Sequence, residues 1–125
     1  MTDLTSELPR ESWQDYFENL SRDLGTVQAT VEVDGEDLGA QIEAEDLVLT
    51  GLSYDRRDDV LVVGLDAPGG ARGDLEHLVY RPQRIFVAPE AIIPPDAIAV
   101  DDADGHRTLV ELRPVPELPG ESASA

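Results

Sequence analysis

The spacing of the apolar residues changes once along the chain, at Gly25, and this change limits the fold more than any other feature. Before it, large apolar residues fall at spacings of 3, 1, 3 and 4: Trp13, Tyr16, Phe17, Leu20 and Leu24. Such spacing forms one face of an amphipathic helix. Pro9 suits the first turn, and Gly25 suits the left-handed position just past the end. The sequence therefore predicts a helix over residues 9–24.

After Gly25 the apolar residues recur at every second position, which is typical of strands with one buried face. Residues 27–33 and 38–44 alternate in this way, and the turn signal Asp34-Gly35 lies between them. They predict a β-hairpin with a loop at 34–37. Residues 47–54 and 59–65 predict two further strands around a polar turn.

The second half of the chain continues the same pattern. Residues 75–80, 84–88, 97–100 and 107–112 predict four more short strands. Pro82 cannot donate a backbone hydrogen bond to a neighbouring strand, so it marks a turn or a bulge.

The order of these elements determines the fold class. No helical pattern separates the strands, which excludes a parallel sheet built from βαβ units. We expect an α+β, mainly β fold: an N-terminal amphipathic helix packed on an antiparallel sheet of about seven to eight short strands, curled into a roll or small barrel. We expect one globular domain over residues 9–113, between a disordered N-terminus (1–8) and a disordered tail (114–125).

Several short motifs identify a family resemblance. They are Pro9-Arg10-Glu11-Ser12-Trp13 followed by Phe17, Thr30-Val31-Glu32-Val33, Gly39-Ala40-Gln41, Leu49-Thr50-Gly51-Leu52, His77-Leu78-Val79-Tyr80-Arg81-Pro82, and Asp104-Gly105 before Thr108-Leu109-Val110. With them the chain resembles an uncharacterised prokaryotic family, domain of unknown function 5335. The resemblance implies a compact single domain, and it implies no activity, cofactor or catalytic residue.

The charge balance limits the classes of partner. The chain has 27 acidic residues, nine Arg and no Lys, giving a net charge of −18. This argues against direct binding of nucleic acid, or of an anionic membrane, through a basic surface. Acids spread over many turns, together with the lack of Lys, favour a salt-adapted or GC-rich source. An acidic mimic of nucleic acid, occupying the basic groove of a partner, is the alternative.

Two further features bear on chemistry and location. The chain has no Cys, which excludes disulfides, thiol nucleophiles and Cys-type zinc sites. No apolar run approaches the roughly 20 residues that span a bilayer. The first seven residues lack the basic start and apolar stretch of a signal peptide. We therefore expect a cytoplasmic protein without membrane contact.

The best candidate for a ligand-binding site is His77 with Tyr80 and Arg81, which lie close together on one predicted strand. His77 alternates with Leu75 and Val79 and so is expected to be half-buried with them. It could be an acid, a base or a ligand contact in a cleft. The alternation favours instead a structural histidine whose ring bonds a backbone carbonyl at a strand end.

Two other motifs do not carry chemistry. The acidic segment 100–106 resembles a calcium loop, but Val100 stands at its first ligand position and a strand pattern follows, so a hairpin turn is expected. The Gly-rich segment 68–73 lacks the ending of a phosphate-binding loop. The sequence predicts no catalytic residue, no metal site and no cofactor.

These observations favour a non-enzyme. We expect a small acidic domain that acts through contact with an unknown protein partner or through self-association as a homo-oligomer. The alternatives are a small-molecule-binding or enzymatic domain with a pocket near His77, Tyr80 and Arg81, and the nucleic-acid mimic.

Overall fold

The computed structural model describes residues 6–37, 39–66 and 74–115. The described chain begins with strand β1 (Ser6–Leu8), a 3-10 turn (Arg10–Ser12) and helix α1 (Trp13–Arg22). Seven further strands follow: β2 (Val27–Gly35), β3 (Gly39–Asp55), β4 (Val60–Asp66), β5 (Asp74–Tyr80), β6 (Pro82–Ala88), β7 (Ala97–Asp102) and β8 (Arg107–Pro114).

In the described residues, the eight strands form one antiparallel sheet. Their order is β1-β6-β7-β8-β2-β3-β4-β5, so β1 and β5 are the two edges. The sheet is not closed into a barrel, and the roll is the form that agrees with the structure. The first half of β3 pairs with β2 and its second half pairs with β4. The sheet therefore curls at β3. The predicted fold class, a mainly β chain with one N-terminal helix, is confirmed.

Helix α1 closes the side of the roll that β2 leaves open. The pairing of β3 with β2 extends only to Val48, so the next part of β3 has no strand on that side. The Ser21 hydroxyl donates to the Leu52 carbonyl at 2.7 Å and accepts from the Leu52 amide at 2.9 Å. Trp13 and Phe17 point from the helix into the core and are at most 1% exposed.

The core lies between this helix and the concave face of the sheet. Strand β2 contributes every second residue, as the period of two predicts. The largest fully buried side chains are Trp13, Phe17, Leu20, Leu61, Leu65, Ile85 and Ile98. The helix face and the strand alternation therefore meet in one apolar cluster.

One long strand replaces two of the predicted strands. Residues 38–44 and 47–54 were expected to be separate, but β3 runs through both. Asp46 takes a left-handed backbone conformation, with φ of 54°, and its amide donates to Thr30 Oγ1 at 3.1 Å. The polar residues Glu45 and Asp46 have the composition of a turn. In the structure they form a bulge in the pairing with β2, and the strand continues past them.

The two predicted disordered ends also differ from the expectation where they are described. Ser6–Leu8 form β1 and pair with β6, and Leu8 is 5% exposed. The Trp13 indole donates to the Leu8 carbonyl at 3.1 Å, which anchors this segment to the helix. At the other end Pro114 is the last residue of β8. The expected tail from 116 onward, and the Gly-rich segment 67–73, lie outside the described residues.

A sharp corner joins β5 to β6. Arg81 alone separates the two strands and has φ of 54°. Its amide donates to the Asp59 carbonyl at 2.8 Å, and its carbonyl accepts from the Ala103 amide at 3.0 Å. A turn or a bulge was expected at Pro82, and the structure has a register shift between Pro82 and Arg84. These bonds hold three turns together at one end of the roll.

Candidate functional site

The three residues of the predicted ligand site lie on β5 and at the corner that follows it. His77 is opposite Val63 and half-buried, on the same face of the strand as the buried Val79. Tyr80 is on the other face and is 57% exposed. Arg81 is bound to Asp104, with 2.8 Å between Nη2 and Oδ1. The structure therefore turns His77 and Tyr80 away from each other, and a ligand site formed by all three stays a prediction.

His77 has an environment that keeps its imidazole neutral. Burial disfavours the charged ring and lowers the pKa of His77 below its usual value, while the negative charge of Glu43 acts against this shift. A neutral imidazole can both donate and accept a hydrogen bond.

A cavity of about 420 Å³ at the corner end of the roll was not foreseen from the sequence. Arg10, Glu11, Tyr54, Arg56 and Asp59 line it. No local motif could have signalled it, because Arg10 and Tyr54 are 44 positions apart in the sequence.

The residues that line this cavity bond mainly to other residues of the protein. The Tyr54 hydroxyl donates to Asp59 Oδ1 at 2.6 Å, and the Arg10 guanidinium donates to the Pro82 carbonyl at 2.9 Å. Arg10 also lies over the Trp13 ring, 4.5 Å from its centre. Burial, with a further contribution from the Asp59 carboxylate, raises the pKa of Tyr54, so its proton stays on the hydroxyl. The polar groups of this cluster thus form most of their hydrogen bonds with one another. The cluster connects the 3-10 turn to the corner, which favours a structural role for it.

The convex face of β4 and β5 presents apolar side chains to solvent. Leu78 is opposite Val62 and Tyr80 is opposite Val60, and all four point to the same side of the sheet. Leu78 is 38% exposed and Tyr80 is 57% exposed. We call Glu76, Leu78 and Tyr80, which follow one another on this face of β5, the β5 row.

The β5 row stands on an edge strand. Among the described residues β5 is hydrogen-bonded to β4 on one side and to no strand on the other. A groove of about 560 Å³ runs beside it between the helix and the sheet, lined in part by Arg22, Gly51, Gly64 and Glu76. Edge strands with exposed apolar residues are sites at which another chain can pair.

A second apolar region lies at the opposite end of the roll. Ile92 and Ile93 are 55% and 49% exposed in the segment that joins β6 to β7. A cleft of about 280 Å³ nearby is lined by Leu24, Leu112 and neighbouring residues. This region is irregular backbone and offers no strand edge.

Many of the acids at the turns have cationic partners. Asp101 accepts two hydrogen bonds from Arg107, at 2.6 and 2.9 Å, and Asp104 accepts one from Arg81. The His106 ring nitrogen Nε2 lies 2.9 Å from Asp37 Oδ1. That bond and the surrounding carboxylates raise the pKa of His106 above its usual value.

The described residues contain neither a metal-binding cluster nor a helix that could span a membrane. No group of three or more His, Asp or Glu side chains there could hold a metal ion. No helix within residues 6–37, 39–66 and 74–115 has the length and apolar character to cross a bilayer.

Comparisons with known proteins agree with the resemblance seen in the motifs. The model of a family of unknown function, DUF5335, matches residues 4–121. An uncharacterised protein of Aquifex aeolicus (strain VF5) is 36% identical over 119 residues, covering 92% of this chain and 97% of that protein. No solved structure matches the chain.

Proposed function

For a chain that belongs to DUF5335, a family of unknown function, we propose a non-catalytic role as a small cytoplasmic domain that acts through protein–protein contact. The observation that carries this proposal is the β5 row on its open strand edge. Two large apolar side chains are exposed there, next to backbone groups that have no strand partner among the described residues. Soluble proteins usually protect such edges, so an unprotected one marks an interaction surface.

Several local features support the row as a contact surface. Val62 lies beside Leu78 on β4 and is partly exposed, so the apolar surface of the row extends onto the neighbouring strand. The corner at Arg81 is fixed by two backbone hydrogen bonds and an ion pair. Because Tyr80 directly precedes this fixed corner, the backbone at that end of the row loses little conformational entropy on binding.

Site-specific photo-crosslinking tests the proposal. A benzoylphenylalanine replaces Tyr80 in the full chain in its native host, and the same residue replaces Gln14, which is exposed on the outside of α1, as the control. We expect discrete crosslinked products from position 80 that are absent from position 14. Leu78→Lys, on the same face, should reduce these products at unchanged abundance of the chain.

The crosslinked mass separates the two kinds of contact. A product of twice the chain mass indicates self-association, and any other mass indicates a different protein. No product from position 80, or the same products from positions 80 and 14, contradicts the proposal.

A ligand pocket at His77 is the second candidate function. The observation that favours it is the half-buried imidazole, held neutral and faced by the charge of Glu43. A thermal-shift screen of small molecules on the wild type and on His77→Ala tests it. A ligand whose stabilising shift persists in His77→Ala does not bind at this residue.

A further inference from the structure

We propose that β5 accepts an extended segment of its partner as an additional antiparallel strand, and that this segment carries Arg or Lys beside Glu76 and apolar side chains beside Leu78 and Tyr80. This deepens the proposed function and rests on it. It specifies how the contact is made and what chemistry the partner presents.

The backbone of β5 has the regularity that strand addition requires. In an antiparallel edge strand, only every second residue directs its backbone amide and carbonyl towards the neighbouring strand. The amide and carbonyl groups of the residues in between point outward, away from the sheet. Strand β5 is seven residues long and pairs in full register with β4 from Asp66↔Asp74 to Val60↔Tyr80. No bulge interrupts this pairing, so its outer groups form a regular template for a strand of about the same length.

The side chains of the β5 row are placed to contact an added strand. Glu76, Leu78 and Tyr80 are successive residues on one face, and all three are exposed. In an added strand, the side chains directly opposite would lie within contact distance of them. Apolar partner residues would cover Leu78 and Tyr80, beside the partly exposed Val62 on β4.

Charge selects the partner. Glu76 forms no ion pair with another residue of the described chain, and the protein as a whole carries −18. A cationic side chain opposite Glu76 is attracted both by the Glu76 carboxylate and by the net negative charge of the protein.

The β5 strand of a second copy of this chain contains no Arg or Lys. Two β5 strands paired about Leu78 would place Glu76 opposite the Tyr80 of the second copy and would bring together two bodies of charge −18. The charge pattern therefore favours a basic partner over self-pairing.

Designed peptides test the inference with the ¹⁵N-labelled full chain at low salt. The probe is acetyl-Tyr-Thr-Val-Thr-Arg-Thr-Thr-amide, which aligns antiparallel so that its Tyr, Val and Arg meet Tyr80, Leu78 and Glu76. A second peptide has Glu in place of Arg. We expect amide shift changes centred on β5 and at least a fivefold weaker Kd for the Glu peptide.

Charge reversal in the protein provides the matched control. In Glu76→Arg the preference between the two peptides should reverse. In Glu111→Arg, which makes the same change of net charge at an exposed site in the central strand β8, the Arg peptide should remain preferred. The same preference in Glu76→Arg as in the wild type overturns the proposed partner chemistry.

Backbone methylation tests the strand addition itself. Two versions of the probe carry N-methyl groups at alternate residues, one on the odd and one on the even positions. Only one edge of an added strand bonds to β5, so one version should lose binding and the other should keep it. Equal binding by both versions overturns the strand geometry.

The remaining outcomes separate this inference from the proposed function. No shift from any peptide at about 2 mM, above the Kd of a weak contact near 1 mM, overturns strand addition by a basic segment. If the crosslinks from position 80 persist in that case, the proposed function stands. Broadening of β5 amides that grows with protein concentration in the absence of peptide identifies a second copy as the occupant and also overturns the basic partner.

Discussion

The surroundings of the two histidines shift their pKa values in opposite directions. The ring of His106 is hydrogen-bonded to Asp37, and its pKa is raised. His77 is half-buried on the inner face of β5, and its pKa is lowered by burial. Folding therefore favours the protonated form of one histidine and the neutral form of the other.

This contrast predicts a pH dependence of opposite sign for the two side chains. Between the unfolded pKa near 6.5 and its own higher value, His106 binds more protons in the folded state, so its stabilisation is lost as pH rises. Below pH 6.5 the unfolded chain protonates His77 more readily than the folded chain, so stability is lost there as pH falls.

Urea unfolding between about pH 5 and 8 checks these signs in His77→Gln and His106→Gln. Relative to the wild type, His106→Gln should gain stability more steeply with rising pH, and His77→Gln should gain it less steeply. Parallel pH profiles for all three proteins would contradict both assignments.

Which residues meet at the corner end could not be predicted from the sequence. Tyr54 and Asp59 are close along the chain, but Arg10 reaches them only because β1 pairs with β6 and brings the 3-10 turn beside Pro82. The inward position of His77 did follow from its alternation with Val79. Tyr80, one position out of step with Val79, lies on the other face of the strand, which the grouping of Tyr80 with His77 from the sequence did not take into account.

At the scale of the elements, the helix is held by a side chain that replaces a missing strand. Ser21 both donates to and accepts from the backbone of Leu52, where β3 has left β2. The sequence predicted the helix from its apolar face, because the 3.6-residue period is a local signal. It could not predict that a serine on that helix would complete a strand edge 31 residues away.

Ser21→Ala should therefore cost about 1–3 kcal/mol of unfolding free energy, because it leaves a part-buried amide and carbonyl without their partner. Ser12→Ala is the matched control, since the Ser12 hydroxyl bonds to the Pro9 carbonyl in an exposed position. It should cost at most about 0.5 kcal/mol. Equal losses in urea unfolding would show that Ser21 does not secure the helix to β3.

Strand β3 shows why element boundaries were harder to predict than element types. The polar pair Glu45-Asp46 between two apolar runs has the composition of a turn. In the structure, the Thr30 hydroxyl on neighbouring β2 accepts a hydrogen bond from the Asp46 amide. Strand β3 therefore continues through a bulge instead of ending there. That partner comes from 16 positions away, so local composition gave the wrong boundary.

At the scale of the whole molecule, negative charge greatly exceeds positive charge, and the ion pairs neutralise only part of it. Four of the nine Arg side chains form ion pairs with carboxylates in the described residues, against 27 acids in the chain. Such self-repulsion opposes the compact state. Salt screens it, because the Debye length falls from about 30 Å at 0.01 M to about 3 Å at 1 M.

We therefore expect the melting temperature to rise between low millimolar and about 1 M NaCl. The exposed pairs such as Arg81–Asp104 weaken over the same range, but exposed pairs contribute little to stability. Differential scanning calorimetry along a NaCl series checks the sign. A flat or falling melting temperature would mean that the acids are already compensated.

An interaction surface on β5 requires that this strand be an open edge in the isolated protein. Amide hydrogen exchange, measured residue by residue by NMR at low protein concentration, tests this without knowledge of the partner. We predict alternating protection along β5, in which amides facing β4 exchange slowly and amides facing outward exchange rapidly, while β4 between its two neighbours is protected throughout. Uniform protection of β5 in the isolated chain would show that its outer edge is already covered, and would contradict the interaction surface proposed for this protein.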